Sequence, residues 1–293
     1  MSNLRPRLAA LVLAHVLLCA TRPASAQTFT NTSVNPIDGL SDIATVTFTE
    51  VTGALVGSSL VAGSSLYLQA VVTNTSARAG YETANTLGGV FFSIAGHTAN
   101  DLVPERAVTT GPIFDASQCD GTSGALCSSS AVDVGKYWGY TYASSGTFTG
   151  SANGTTCPSA STMTGHYGVT VAGYACVTNP AGGQSTQFGA APPSLVKTVA
   201  APQFSLVGPA MADAASASAV AADPLINTSM ILYFGLPSGI GPLTVNSVTF
   251  AYGAAPAIAT GGLFRSASEP AGLTILGVGL AVVTGARYRR RAK

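Results

Sequence analysis

Charged side chains are scarce in this chain: Asp, Glu, Lys and Arg together make up 9% of its 293 residues. The stretch from Gln27 to Ala267 holds five cations and eleven anions, which gives it a formal charge of −6. Nucleic acids and anionic membrane surfaces are bound by clustered Lys and Arg, and this stretch has no such cluster. The composition therefore argues against a nucleic-acid partner and leaves solubility to Thr and Ser hydroxyls.

Motifs of the common enzyme classes are also missing. The chain has no G-x-S-x-G elbow, zincin motif, P-loop or dinucleotide fingerprint. His97 and His166 could each serve as a general base, but a lone His beside aromatic residues is more often structural. A carboxylate pair for glycoside hydrolysis stays open, because its two members can lie far apart in the chain; the glutamates available are Glu50, Glu82 and Glu105. We expect no catalytic activity and no cofactor.

Metal-ligand patterns are weak. Asp38 with Asp42, or Asp115 with Asp120, could offer carboxylates to a hard cation. Calcium takes about six to eight oxygen ligands, and neither stretch resembles an EF-hand loop. A simple Asp-Gly turn is the favoured interpretation, and no metal is expected.

The N-terminus has the pattern of a secretory signal peptide over residues 1–26. Arg5 and Arg7 form a basic region, residues 8–20 are apolar, and the small-residue site Ala24-Ser25-Ala26 precedes Gln27. An N-terminal anchor helix is the alternative, but the apolar run is short for a span. We expect export by the general secretory route.

The C-terminus has three consecutive parts. Ser268-Glu269-Pro270 is followed by an apolar run over residues 271–286 and then by a basic cluster. The run reaches about 24 Å as a helix, which flanking side chains can extend by snorkelling. Cations hold their end of a span in the cytoplasm, so the preceding chain should face outward. The cluster consists of Arg287, Arg289, Arg290, Arg291 and Lys293.

This tail resembles the PEP-CTERM sorting signal of Gram-negative bacteria, a type of tail also labelled an ice-binding protein C-terminal domain. Glu269 and Pro270 match the second and third positions of the family's Pro-Glu-Pro motif, whereas Ser268 stands in place of the first proline. The resemblance implies a partner, an exosortase-type membrane protease that removes the helix and passes the protein to the cell surface or matrix. A plain, permanently retained anchor is the alternative.

Four cysteines follow the signal peptide, an even number that indicates two disulfides in an oxidising compartment. Three connectivities are open, and the local pairs Cys119–Cys127 and Cys157–Cys176 are favoured because they close short loops. The spacing contains no C-x-x-C and does not suit a zinc site.

Residues 27–252 are predicted to form an all-β, β-sandwich-like extracellular domain, because short alternating or apolar runs are punctuated by Gly, Asn and Ser. Residues 111–189, which carry the cysteines, are predicted to be an excursion from the main sheets, with a small subdomain as the alternative. Residues 209–222 are Ala-rich and predict a helix, and residues 253–267 predict a linker. The predicted strands are 44–51, 65–72, 90–94, 137–142, 166–172, 194–207, 229–236 and 243–252.

Two strand patterns suggest binding surfaces. Trp138, Tyr140 and Tyr142 would share one face of a strand. Exposed, they would suit stacking on sugar rings or a partner; buried, they would be core, the favoured alternative. The runs Thr45-x-Thr47-x-Thr49 and Thr147-x-Thr149 are interpreted as ordinary strand composition rather than a regular threonine array.

The sequence thus predicts an exported, non-enzymatic surface or matrix protein, associated with exopolysaccharide or with other surface proteins. The alternatives are a secreted carbohydrate-binding or carbohydrate-active module and a permanently anchored membrane protein.

Overall fold

The fold was examined in a computed structural model. It describes residues 26–34, 41–76, 86–98, 100–114, 126–128, 132–149, 162–171, 186–189, 204–209, 225–252 and 257–260. The prediction of an all-β domain is confirmed, since this part of the chain is built from strands, with a 3-10 turn at Gly135–Tyr137.

The strands follow one another through the whole described part of the chain. In chain order they are β1 (Gln27–Val34), β2 (Ser41–Val56), β3 (Ser59–Asn74), β4 (Leu87–Ile94), β5 (Val103–Thr109), β6 (Ile113–Phe114), β7 (Leu126–Ser128), β8 (Trp138–Tyr142), β9 (Thr147–Thr149), β10 (Thr162–Thr164), β11 (Tyr167–Val171), β12 (Thr186–Gln187), β13 (Leu206–Val207), β14 (Leu225–Asn227), β15 (Ser229–Gly235), β16 (Val245–Tyr252) and β17 (Ala257–Thr260).

The first sheet has five strands in the order β1-β2-β3-β15-β5, and every neighbouring pair is antiparallel. Its strands alternate between two faces, as β2 shows most clearly: Ala44, Val46 and Phe48 are buried, while the threonines between them are partly exposed. One face of the sheet therefore belongs to the core and the other, called here the outer face, points away from it.

The second sheet is organised around β4, which pairs antiparallel with both β11 and β16. β8 continues the sheet beyond β11, and β12 pairs with β8. β13, β14, β6 and β7 extend it through a bridge between Leu206 and Leu87. β4 reads as a continuous apolar run because both of its faces are buried.

The two sheets share one core, made largely of aromatic rings. Phe92 of β4 lies with its ring centroid 4.9 Å from that of Phe48 and 5.9 Å from that of Phe234, both in the first sheet. Tyr140 of β8 also packs on Phe234. On the other face of β4, Phe91 packs against Phe148 of the β9–β10 hairpin, which covers that side of the second sheet.

Two of the sequence-based boundaries need correction. Within the described part of residues 111–189, β8 and β11 are not an excursion from the main sheets, because they pair beside β4 in the second sheet. The apolar inner faces of these strands are needed to close the core. Part of the predicted linker is also wrong: Ala257–Thr260 is strand β17, paired with β16.

Other predictions fall largely or wholly outside the described residues. These are the signal peptide, the helix at 209–222 and the tail with Ser268, Glu269, Pro270, the apolar run and the arginine cluster. Within the described part of the chain, no helix is long and apolar enough to cross a membrane.

Candidate functional site

The outer face of the first sheet carries a regular array of threonines on three adjacent strands. It arises because β1 and β2 each have Thr at every second position, and the antiparallel register sets Thr28 opposite Thr47 and Thr30 opposite Thr45. Thr45 is in turn opposite Thr73 of β3. We call this array the threonine face; its members are Thr28, Thr30, Thr32, Thr45, Thr47, Thr49 and Thr73.

The hydroxyls of the threonine face are bonded across the strands. The Oγ1 atoms of Thr28 and Thr47 are 3.0 Å apart, and those of Thr30 and Thr45 are 3.3 Å apart. Thr32 is exposed and the other members are partly exposed. The β-branched side chains have few rotamers, so the array is held rigidly by the sheet beneath it.

The threonine face carries no ionisable side chain. The two carboxylates of β2, Asp42 and Glu50, occupy the opposite set of positions, alternating with the threonines. The charged groups on the outer side of this sheet in the described part of the chain lie at β5: Arg106, whose Nη1 lies 3.2 Å from Asp133 Oδ2, and Glu105, whose carboxylate lies beside Gly235. The three strands that hold the array are therefore electrically neutral on that side.

A hairpin arm formed by the ends of β2 and β3 lies towards the β5 edge of the outer face. Residues 52–56 and 59–66 of β2 and β3 pair with each other beyond the ends of β1 and β15, and Arg106 Nη1 donates a hydrogen bond to the Gly57 carbonyl at the tip. Tyr67 and Tyr233, whose rings pack edge to face, are buried on this outer face. The arm thus reaches back to β5, at the edge of the sheet opposite to β1.

The proposed aromatic platform is not an exposed surface. Trp138 is fully buried and its indole N–H donates to the Phe204 carbonyl at 3.2 Å, while Tyr140 is 3% exposed. Only Tyr142 is partly exposed, and its ring lies against Tyr167. Tyr140 packs against Phe234 of the first sheet. Trp138 and Tyr140 are therefore core residues.

A small polar cluster closes one end of the core. The loop after β4 crosses towards β5, and there Asn100 Oδ1 accepts from the Tyr140 hydroxyl at 2.8 Å. Asp101 accepts from the Tyr167 hydroxyl at 3.0 Å and lies 3.1 Å from His97 Nδ1. Burial raises the pKa of both tyrosine hydroxyls, so they remain protonated donors at neutral pH. The cluster ties the loop to the second sheet.

The remaining candidates for acid–base chemistry are dispersed. His166 Nδ1 lies 3.0 Å from the Ala143 carbonyl, which holds the ring in a turn. Glu50 Oε1 accepts from the Leu243 N–H at 2.6 Å, a structural contact. Among the described residues, no group of three or more His, Cys, Asp or Glu side chains could hold a metal ion. Glu82, Asp38, Asp115 and Asp120 lie outside them.

The cysteines are almost wholly outside the described part as well. Cys127 lies in β7, for which the backbone is described, whereas Cys119, Cys157 and Cys176 are not described. Both the disulfide prediction and its connectivity stay predictions.

The threonine face is the candidate that sequence reasoning missed. Thr28-x-Thr30-x-Thr32 has the same period as Thr45-x-Thr47-x-Thr49, and the turn signals Asn35-Pro36 and Asp38-Gly39 stand between them. These signals are compatible with a hairpin, but they do not fix the register that places both runs on one face. The array became visible only through the β1–β2 register.

Comparisons of this chain with known protein families, with curated proteins and with solved structures found no significant match in any of the three.

Proposed function

We propose that this protein is an exported structural or adhesion protein of the bacterial surface or extracellular matrix, sorted through its C-terminal tail by an exosortase-type protease. The observation that carries the proposal is the pairing of a signal-peptide pattern over residues 1–26 with the PEP-CTERM-like order at residues 268–293. The former addresses the chain to the export machinery, and the latter would hold it in the inner membrane until it is processed.

The described domain is compatible with that role. Its two sheets enclose one aromatic core, and the first sheet exposes a neutral, hydroxyl-rich face. In this proposal the exported unit is a β-sandwich, and disulfides in the cysteine-bearing stretch stabilise it after export. In this proposal the unit presents a polar surface to its surroundings and has no catalytic role.

The test is the intact mass of the protein recovered separately from the medium, the cell surface and the inner membrane of the producing bacterium. We expect a surface or medium species that begins at Gln27 and ends close to Pro270. Alkylation before and after reduction, on the same sample, should reveal four thiols only after reduction if two disulfides are present.

Two variants sharpen this test. Glu269→Ala should abolish processing and retain the full tail in the membrane fraction, and Ser266→Ala, just outside the motif, is the matched control. If the unaltered protein is found only in the inner membrane with residues 271–293 attached, the sorting proposal fails and the permanent anchor takes its place.

A carbohydrate-active module has no specific support from the described residues. Trp138 and Tyr140 of the aromatic platform on which it depended are buried, and Glu50, one of its candidate carboxylates, accepts a hydrogen bond from the Leu243 N–H. Sugar binding without catalysis does not depend on the aromatic platform, and the threonine face is a different surface that suits it.

A further inference from the structure

We propose that the threonine face binds a neutral polysaccharide of the extracellular matrix. This inference rests on the proposed function, since it names the partner that a matrix protein would meet at that surface. It is carried by the hydroxyl pairs that β1 and β2 form in register, Thr28 with Thr47 and Thr30 with Thr45.

Each hydroxyl pair keeps most of its hydrogen-bonding capacity. Two threonine hydroxyls together have about two donors and four acceptor lone pairs, and the bond between them uses one of each. About one donor and three acceptor sites therefore remain for a ligand at every pair. A sugar ring presents the same mixture of donors and acceptors in its own hydroxyls, so the two surfaces can pair without leaving polar groups unsatisfied.

The array is preorganised for an extended chain. Threonines two residues apart on a strand are separated by roughly 6.6–6.8 Å, and neighbouring strands by about 4.8 Å. Because the cross-strand bonds and the sheet fix the side chains, little rotamer entropy is lost on binding. Several weak contacts made by one polymer act together, which raises the retention of a long chain above that of a short oligosaccharide.

Charge selects among the polymers. An anionic polysaccharide would need Lys or Arg at the contact, and these positions have none. The carboxylates of β2, Asp42 and Glu50, belong to the opposite set of positions, so the face does not repel or attract a charged chain strongly. A protein partner is disfavoured because interfaces draw their binding energy from Trp, Tyr and Arg, and threonine is under-represented among such residues.

The experiment is affinity electrophoresis of the processed protein through gels that contain dextran, mannan or xyloglucan, with alginate and heparin as anionic comparisons. Thr28→Val with Thr47→Val removes one hydroxyl pair and keeps its shape. Thr164→Val, at an exposed threonine of β10 in the β9–β10 hairpin, is the matched control. Thermal unfolding of all variants establishes that the fold is intact, and Thr45→Lys is a second variant that adds charge to the face.

We expect retardation by at least one neutral polymer, weakened about fivefold or more by the Thr28/Thr47 double substitution and unchanged by the Thr164 substitution. Retardation by alginate or heparin alone, equal binding by the double variant, or no retardation by any neutral polymer would overturn the proposal. The proposal would also be overturned if the threonine substitutions changed only the self-association of the protein or its effect on the growth of ice crystals.

The two proposals fail separately. Absence of polysaccharide binding by a correctly processed surface protein would refute the ligand and leave the sorting proposal in place. Polysaccharide binding by a protein that retains its tail in the inner membrane would support the ligand and refute the sorting proposal.

Discussion

Asp42 is the most unfavourably placed carboxylate in the described part of the chain, and its neutralisation should stabilise the protein. It is the second residue of β2 and is 4% exposed, on the same side of the strand as Ala44. Burial raises the pKa of this carboxyl from its usual value near 3.8 to about 6. The cause is desolvation, which disfavours the ionised form in the folded protein.

The magnitude and the sign follow from linkage. A shift of about two pKa units corresponds to roughly 3 kcal/mol, since one unit is about 1.36 kcal/mol. Between pH 4 and pH 6 the folded protein binds the proton that the unfolded chain has released, so this group lowers the free energy of unfolding as the pH rises through that window. The penalty is absent below about pH 4 and complete above about pH 6.

Asp42→Asn keeps the shape of the side chain and removes the titration. We expect the variant to be more stable than the parent at pH 7 by up to about 3 kcal/mol, with the difference shrinking towards zero at pH 4. Urea unfolding at half-unit steps from pH 4 to pH 7.5 measures it. Asp133→Asn, which neutralises a half-exposed carboxylate, is the control and should change stability by less than about 1 kcal/mol. A pH-independent difference between parent and Asp42→Asn would refute the reasoning.

Two further predictions concern packing. Trp138→Ala should lower the free energy of unfolding by about 3–5 kcal/mol, because it empties a fully buried site and leaves the Phe204 carbonyl without its donor; a variant of normal stability in urea would show that the ring is not core. Gly208→Ala should cost roughly 2 kcal/mol or more, because its Cβ would stand 2.1 Å from the Ser76 carbonyl oxygen. Gly241→Ala, whose Cβ would meet nothing within 4 Å, is the control and should change the free energy of unfolding by less than about 0.5 kcal/mol; urea unfolding measures both glycine variants.

Eight of the seventeen described strands could be predicted because each of these leaves a local pattern in the sequence. Thr and apolar residues alternate along β2, since one of its faces is in the core and the other meets solvent. Apart from Ser93, β4 has no polar side chain, because Phe92 faces the first sheet and Phe91 faces the β9–β10 hairpin. A buried face requires apolar side chains at every second position of a strand, and two buried faces require them at every position. Burial can therefore be predicted from the local sequence.

Which strands pair with each other cannot be predicted from such local patterns. β15 lies between β3 and β5 although its residues are more than a hundred positions away from both. The strands β8 and β11 were predicted, but nothing in their composition shows that they complete the second sheet beside β4 rather than form a separate unit. Backbone hydrogen bonds are the same for every pair of strands, so the choice is made by the fit of whole apolar faces.

The sequence by itself determined the strand-rich class, the positions of eight of the seventeen strands in the described part of the chain, and the two terminal patterns from which export and sorting are proposed. These are local properties of composition and period. The tertiary structure alone decided that Trp138 and Tyr140 belong to the core and that two separate threonine runs become one neutral face. Both outcomes depend on register and on which sheet covers which side chain, and the energy of that arrangement is shared among residues far apart in the chain.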